Sequence, residues 1–219
     1  MTKGKSEQAL DKLRIAILTG KLAPGTALKM SNVQEICGVS VSSTREALAG
    51  LVSTGLVTAE HNRGYQVASL SVYELDDLVA TRIRVEGWAL QQSIETADEF
   101  WEANILSSLH LLERLPRMQA TGQAAFDRQW EERHIDFHRS LISSCGSEIT
   151  LKFCDSLREN NDRYRRFSAT LEKGERDVSN EHRKIAEAAI ERDAKAAVDL
   201  LSKHYRETAD IVRGNIPGQ

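Results

Sequence analysis

Residues 17–68 read ILTGKLAPGTALKMSNVQEICGVSVSSTREALAGLVSTGLVTAEHNRGYQVA, and the punctuation of this stretch decides the fold. An amphipathic run precedes and enters it, Gln8–Thr19, with Leu10, Leu13, Ile17 and Leu18 on one stripe. Gly20 ends that run and Pro24-Gly25 makes a turn. Ser31 is placed to cap a short helix, Asn32–Cys37, which Gly38 stops. A second helix is expected over Ser42–Thr54, closed by Gly55 at the position past a helix end where a left-handed residue is needed. Two short apolar strands follow, Val57–Ala59 and Tyr65–Ala68, around the turn Glu60-His61-Asn62-Arg63-Gly64. Helix, helix, turn, helix and hairpin in that order predict a winged helix-turn-helix.

Outward from this stretch the pattern changes. After Ser71 the chain is long-period, helical and nearly free of Pro and Gly, which divides it into residues 1–70 and 71–219. Ser71 is a candidate N-cap and Glu74 would complete a capping box. Helices are expected over Val72–Thr96, Asp98–Gln119, Gln123–Cys145, Ser147–Glu172, Val178–Arg192 and Ala194–Val212, with Asp98, Ser147, Asp177 and Asp193 as caps. Short links between such helices imply an antiparallel bundle. The fold class expected is therefore mainly α: an N-terminal winged helix-turn-helix followed by an antiparallel all-helical bundle.

The chain is 219 residues long, 41% hydrophobic and 28% charged, with no apolar run of the length a membrane span needs. The N-terminus lacks an apolar signal core, so a cytoplasmic protein without a membrane partner is expected. Cys37, Cys145 and Cys154 have no CxxC spacing and are expected as reduced, half-buried thiols. Net charge is −3, but residues 1–70 carry eight Lys/Arg against five Asp/Glu, and the remainder 21 against 27. That is a basic head on an acidic body, the sign expected of a protein that meets double-stranded DNA through its N-terminal part.

In a helix-turn-helix the second helix presents its first turn to base edges while the preceding helix braces the phosphate backbone. Ser40, Ser42, Ser43, Thr44 and Arg45 occupy that first turn here, and Arg45 has the fork that pairs with guanine. Lys29, Ser31 and Asn32 open the bracing helix, whose free N–H groups favour a phosphate. Arg63 and Gly64 sit at the hairpin tip, within reach of a groove or a phosphate. Each of these alone also reads as an ordinary cap or a solvated surface residue. Their ordered combination is more specific.

The stretch resembles the DNA-binding domain of the GntR family of bacterial regulators. Ile17–Leu28 follows its I-x-x-G-x-L-x-P-G-x-x-L pattern. Gly38-Val39-Ser40 matches its turn, and Arg45-Glu46-Ala47-Leu48 with Leu51 and Gly55-Leu56-Val57 matches its second helix. Arg63-Gly64 with Val67 matches its wing. The family commonly has Arg directly after Val-Ser, then Thr-Pro. This chain has Val41, Ser42 and Ser43, so one base-reading Arg of the family is absent.

Four of six histidines form a second constellation. His134 and His138 are four apart and share a helix face. His182 and His204 are separated by 22 residues across the expected helix break at Asp193, so neighbouring antiparallel helices can bring them together. Four converging imidazoles suit Zn2+, Ni2+, Mn2+ or Fe2+, although each His also reads as a satisfied polar residue. His110, mid-helix, is expected at the surface or in the core.

The helical part is similar to the FCD ligand-binding domain of the FadR-type branch of the same family, through Arg82-Ile-Arg-Val-Glu86, Phe137-His138, Glu181-His182 and Lys203-His204. The resemblance implies a divalent metal held by one Asp and three His. The three His fall on His138, His182 and His204; the Asp position holds His134, and Asp136 lies on another face. It also implies an open metal position for a carboxylate effector and places Arg82 to pair with that carboxylate. Arg82 reads equally as a helix-surface partner of Glu86 at i+4. The function expected is a homodimeric, ligand-responsive repressor, with no catalytic residues, released from operator DNA by a small organic acid. The alternatives are a metalloenzyme built on the histidines, a metal-free regulator sensing an apolar or acyl-CoA-type effector, and a constitutive DNA binder with an inert bundle.

Overall fold

The computed structural model describes residues 4–18, 20–60, 64–96, 98–115, 128–171 and 176–216. Its elements are α1 (Lys5–Leu18), β1 (Ala27–Leu28), α2 (Met30–Cys37), α3 (Val41–Ser53), β2 (Val57–Glu60), β3 (Gly64–Val67), α4 (Val72–Thr96), α5 (Glu99–Glu113), α6 (Arg128–Ile142), α7 (Glu148–Leu171), α8 (Val178–Ile190) and α9 (Ala194–Arg213). A winged helix-turn-helix followed by a helical bundle is what the spacing of apolar residues and turn residues implies. Among the described residues no helix is long and apolar enough to cross a membrane.

The first three helices close over a core of Ala9, Leu13, Ile17, Val33, Ala47, Leu48 and Leu51, joined by Leu28, Val57 and Val67 from the sheet. Fully burying each Leu or Ile contributes about 1.5–3 kcal/mol, which is how so short a unit holds together. Helices α1 and α3 approach closely because Gly50 has no side chain: a Cβ there would lie 2.6 Å from Leu10 Cδ1. The wing is a three-stranded antiparallel sheet ordered β1-β3-β2, with Val57 opposite Val67 and Ala27 opposite Gln66. Strand β1 is two residues long and lacks an alternating pattern, so the sequence shows only the hairpin.

Two cap assignments change. Helix α2 begins at Met30 after Lys29, which makes no side-chain cap, so Ser31 lies inside the helix and its hydroxyl meets the Asn32 side chain. Ser71 accepts from the Glu74 amide at 3.3 Å as a cap should. The capping box is only half made, because the Glu74 carboxylate turns to Arg163 and Tyr164 of α7. The other caps form where the sequence places them: Asp98, Asp177 and Asp193 accept from the amides of Trp101, Asn180 and Ala196, and Ser147 from that of Thr150.

In the bundle α4 runs along α9 and α7, α5 packs on α6, and α8 on α9. Phe137, Leu90, Ile105, Leu141, Ile185 and Tyr164 are fully buried there. Cys37, Cys145 and Cys154 are free and buried rather than half-buried, and burial pushes the Cys154 thiol up to about 12. His110 is exposed.

Candidate DNA-reading surface and metal centre

The candidate reading surface is local. Ser40 ends its extended approach to α3 by accepting from the Ser43 amide, and its hydroxyl also meets that of Ser43 at 3.1 Å. Ser40, Ser42 and Arg45 are exposed on one end of α3, and Lys29, Ser31 and Asn32 are exposed at the start of α2. Gly64 is exposed at the start of β3. Arg63, expected beside it, lies outside the described residues. Thr44 corrects the expectation: its side chain is fully buried and its hydroxyl donates to Ser40 O at 2.9 Å. It locks the first turn of α3 from inside the head and cannot reach a base.

The histidine centre is non-local. Helix α6 carries His134 and His138 one turn apart. Helix α8 carries His182, and α9 carries His204. All four are at most 7% exposed. One ligating nitrogen from each falls within 4.8 Å of the others. His134 Nε2 and His138 Nε2 are 3.1 Å apart. A tetrahedral ion with bonds of about 2.0–2.1 Å would set such pairs roughly 3.3–3.4 Å apart, so the His134–His138 pair has the spacing of two ligands of one ion. Trp130 stacks on His134 at 4.8 Å, and Phe137 lies against His138 and His182. Asp136, by contrast, is exposed and paired with Arg133.

The electrostatics suit ligation. Burial pushes the His134 and His138 imidazoles far below their ordinary pKa, and their charged neighbours push the same way. Both are therefore neutral at pH 7, with lone pairs available. His204 is lowered by burial, while its hydrogen bond to Glu181 opposes the shift. Glu181 Oε2 lies 2.7 Å from His204 Nδ1, which leaves Nε2 as the ligating atom. Burial would raise the Glu181 carboxyl, but hydrogen bonds from His204 and Arg176 hold it well below the usual carboxylate range. Arg176 grips Glu181 with two contacts of 2.6 Å and also donates to His204 O. His138 Nδ1 is a buried polar atom without a hydrogen-bond partner. Four buried imidazoles, His134, His138 and His204 among them held neutral and His204 oriented by a carboxylate, fit a divalent ion of the Zn2+ or Ni2+ kind.

A cavity of about 20 Å3, room for roughly one water, adjoins the cluster; Arg82, His134, His138, Asn161, Asp162, Tyr164, Arg165, His204 and Tyr205 line it. Arg82 is not on the helix surface. It is buried, forms a two-point pair with Glu86 through Nε (2.6 Å) and Nη2 (3.2 Å), and lies 4.0 Å over the Tyr205 ring. Tyr205 in turn donates to Glu86. Arg165 pairs with Glu131 and approaches Asp162. Sequence reasoning missed Asp162, Arg165, Tyr205, Glu181 and Arg176. Glu181 and Tyr205 sit beside histidines that were singled out. Asp162 and Arg165 show only as charges on a buried stripe of α7.

Residues 5–67 match the family model for bacterial regulatory proteins of the gntR family, and residues 77–207 match the FCD domain. The chain is 36% identical to the HTH-type transcriptional regulator BphR of Paraburkholderia xenovorans, over 94% of this chain and 84% of the relative. It is 31% identical to the HTH-type transcriptional repressor GlaR of Escherichia coli, over 94% of each. Among solved structures, E. coli McbR/YncC has the same fold, with a TM-score of 0.73 at 18% identity over 97% of this chain and 99% of that one. These matches are to transcriptional regulators and not to enzymes. The chain belongs to the gntR family of bacterial regulatory proteins, in the form that joins a winged helix-turn-helix to an FCD domain, and is a DNA-binding transcriptional regulator.

Proposed function

We propose that this regulator is a repressor, that residues 1–70 read operator DNA, and that residues 71–219 sense a small organic acid at a metal centre and form a homodimer in the cytoplasm. The observation that carries the reading is the buried four-histidine cluster beside Arg82. A divalent ion held by His134, His138, His182 and His204 would supply a fixed positive charge for an anionic oxygen. The chain's own residues do the rest. An imidazole that ligates a metal does so as a neutral ligand, so four of them would leave that charge uncompensated. Arg82 is held in place by Glu86 and Tyr205, and its Nη1 is not engaged by Glu86. It can orient a carboxylate without first losing its own ion pair. The cavity holds about one water, so a larger acid must part the surrounding helices to enter. An effector that requires such an opening has a different affinity for two arrangements of the bundle, as ligand-controlled DNA binding requires.

Repression is the role printed in the name of the E. coli relative GlaR. For the homodimer, α4 and α7 leave Trp88, Ile149 and Phe153 exposed, apolar area that a second copy would cover. Two heads would then meet two half-sites about 34–36 Å apart on the duplex.

Metal content decides the reading. Untagged protein purified without chelator or nickel resin is expected to carry about one ion per chain, lost in His138→Ala and His182→Ala. In the same preparation, small carboxylates should release a duplex selected from random sequence by the protein itself, and only when the metal is present. Metal-free protein, or metal content indifferent to both substitutions, overturns it.

A further inference from the structure

A two-turn stretch of α7 touches the histidine cavity with one side and the N-terminal head with the other. Arg158, Asn161, Asp162 and Arg165 line the cavity. Asn160 and Arg163, on the next stripe of the helix, point to the head. Arg163 Nη1 donates to Gly55 O at 3.0 Å. Gly55 is the left-handed residue just past the end of α3, so the guanidinium sits near the negative end of that helix. Arg163 Nη2 pairs with Glu74 at the start of α4. The approach is tight: a Cβ on Gly55 would lie 2.9 Å from Asn160 Oδ1.

Tyr164 belongs to both sides. It lines the cavity and is fully buried, yet its hydroxyl takes the Ser71 amide at 3.3 Å and lies 3.0 Å from Glu74 Oε2. Ser71 is the last residue before the bundle begins. It is also where the capping box was left half made, because Glu74 is committed to this contact instead. One cost remains in the docked arrangement: Arg163 Nε is buried without an acceptor. An arrangement with a buried, unsatisfied donor is open to exchange with one in which the head is released.

We propose that Arg163 is a positioning residue that docks the end of the recognition helix on α7, and that Tyr164 carries the state of the cavity to this latch. The docking half stands on the contacts alone, whereas the transmission half rests on the metal-site reading above. A ligand that parts the helices around the cavity displaces the α7 turn bearing Tyr164, and the Ser71, Glu74 and Gly55 contacts move with it. Helices pack in discrete arrangements, so a small displacement at the cavity is passed on rather than absorbed.

Backbone hydrogen exchange on the full chain tests both halves. In metal-free protein, Arg163→Ala should speed exchange at amides 54–57 and 69–74 by about tenfold and leave those of 185–189 in α8 unchanged. Unchanged exchange at 54–57 and 69–74 overturns the latch, and so does equal acceleration throughout, which would mean general loosening. The probe for transmission is Zn2+ alone. In the unaltered protein Zn2+ should shift exchange at the same amides. In Tyr164→Phe, which keeps the ring and its packing, that shift should vanish while Zn2+ affinity, read by competition with a chromophoric chelator, stays within about twofold. A shift that persists in Tyr164→Phe overturns transmission. If the unaltered protein takes up no Zn2+, the metal reading fails and transmission falls with it, and the metal-free comparison still decides docking.

Discussion

The head and the bundle solve opposite problems. The proposed reading surface is built from neighbours in sequence on one helix end, where Ser42 and Arg45 are exposed to water. The histidine centre is built from three helices spanning residues 134 to 204, and Arg82, Glu86, Glu131 and Asp162 are buried around it. A surface Arg is held by little and is free to read. A buried Arg must be answered on every side, and Arg82 is answered by Glu86 and the Tyr205 ring. Equivalent substitutions should therefore have different consequences in the two regions.

The largest contrast is between two arginines. Arg82→Ala leaves Glu86 buried without its partner, a loss of about 3–5 kcal/mol, which urea unfolding should read as a lower midpoint. Arg45→Ala should leave that midpoint within about 0.5 kcal/mol and instead weaken the self-selected duplex by about 1–3 kcal/mol, with relaxed preference at one base position. A mild Arg82→Ala, or an Arg45→Ala that unfolds the head, would break the comparison.

The pH response should separate the regions next. In the folded bundle, burial holds His134, His138 and His204 below the ordinary histidine value of 6.5. The unfolded chain therefore binds more protons than the folded one once pH falls below about 6.5, and stability drops from there downward. Above that value both states are neutral and these groups add no slope. For metal-free protein, unfolding free energy should fall between pH 6.5 and 5.5 by up to about 1.4 kcal/mol per pH unit for each histidine. His134→Gln should make the slope shallower. The head's core holds no histidine among the described residues. A slope that survives intact in the variant would place its origin elsewhere.

The same division governs what the sequence made legible. The head could be traced because each of its parts is announced nearby: Gly38 and Gly55 mark helix ends, and Ser40 caps the helix that follows it. Helix α4 was bounded correctly for the same reason. In the bundle, periodicity placed His134 and His138 on one face, and the Asp193 break brought His182 and His204 within reach. Trp130 and Phe137 shield the first pair and sit on the same helix, whereas the charged partners are set by packing between helices. The i+4 spacing offers Glu86 to Arg82, but nothing local says that the pair will lie in the interior against Tyr205, or that Arg176 will hold Glu181 against His204. Thr44 failed for a related reason. A hydroxyl in the first turn of a recognition helix looks like a DNA contact, and only the packing of α3 on the head shows that it turns inward.

Two serines give the smallest effect and the finest test of that division. Ser31 and Ser40 have the same sequence credentials, each a hydroxyl just ahead of an apolar-periodic helix. Ser40 has extended backbone and accepts from the Ser43 amide. Ser31 lies one residue inside α2, where its hydroxyl meets the Asn32 side chain rather than a first-turn amide, and the cap position belongs to Lys29. Ser40→Ala should cost the head about 1 kcal/mol, whereas Ser31→Ala should fall within about 0.5 kcal/mol of the unaltered protein. Both are exposed, so each can change DNA affinity by a route separate from its effect on stability. Ser31→Ala would weaken duplex binding through a lost phosphate contact with the fold untouched, while Ser40→Ala would weaken it by loosening the first turn that carries Arg45. Thermal unfolding without DNA separates these cases, and equal destabilisation by the two substitutions would return the start of α2 to Ser31.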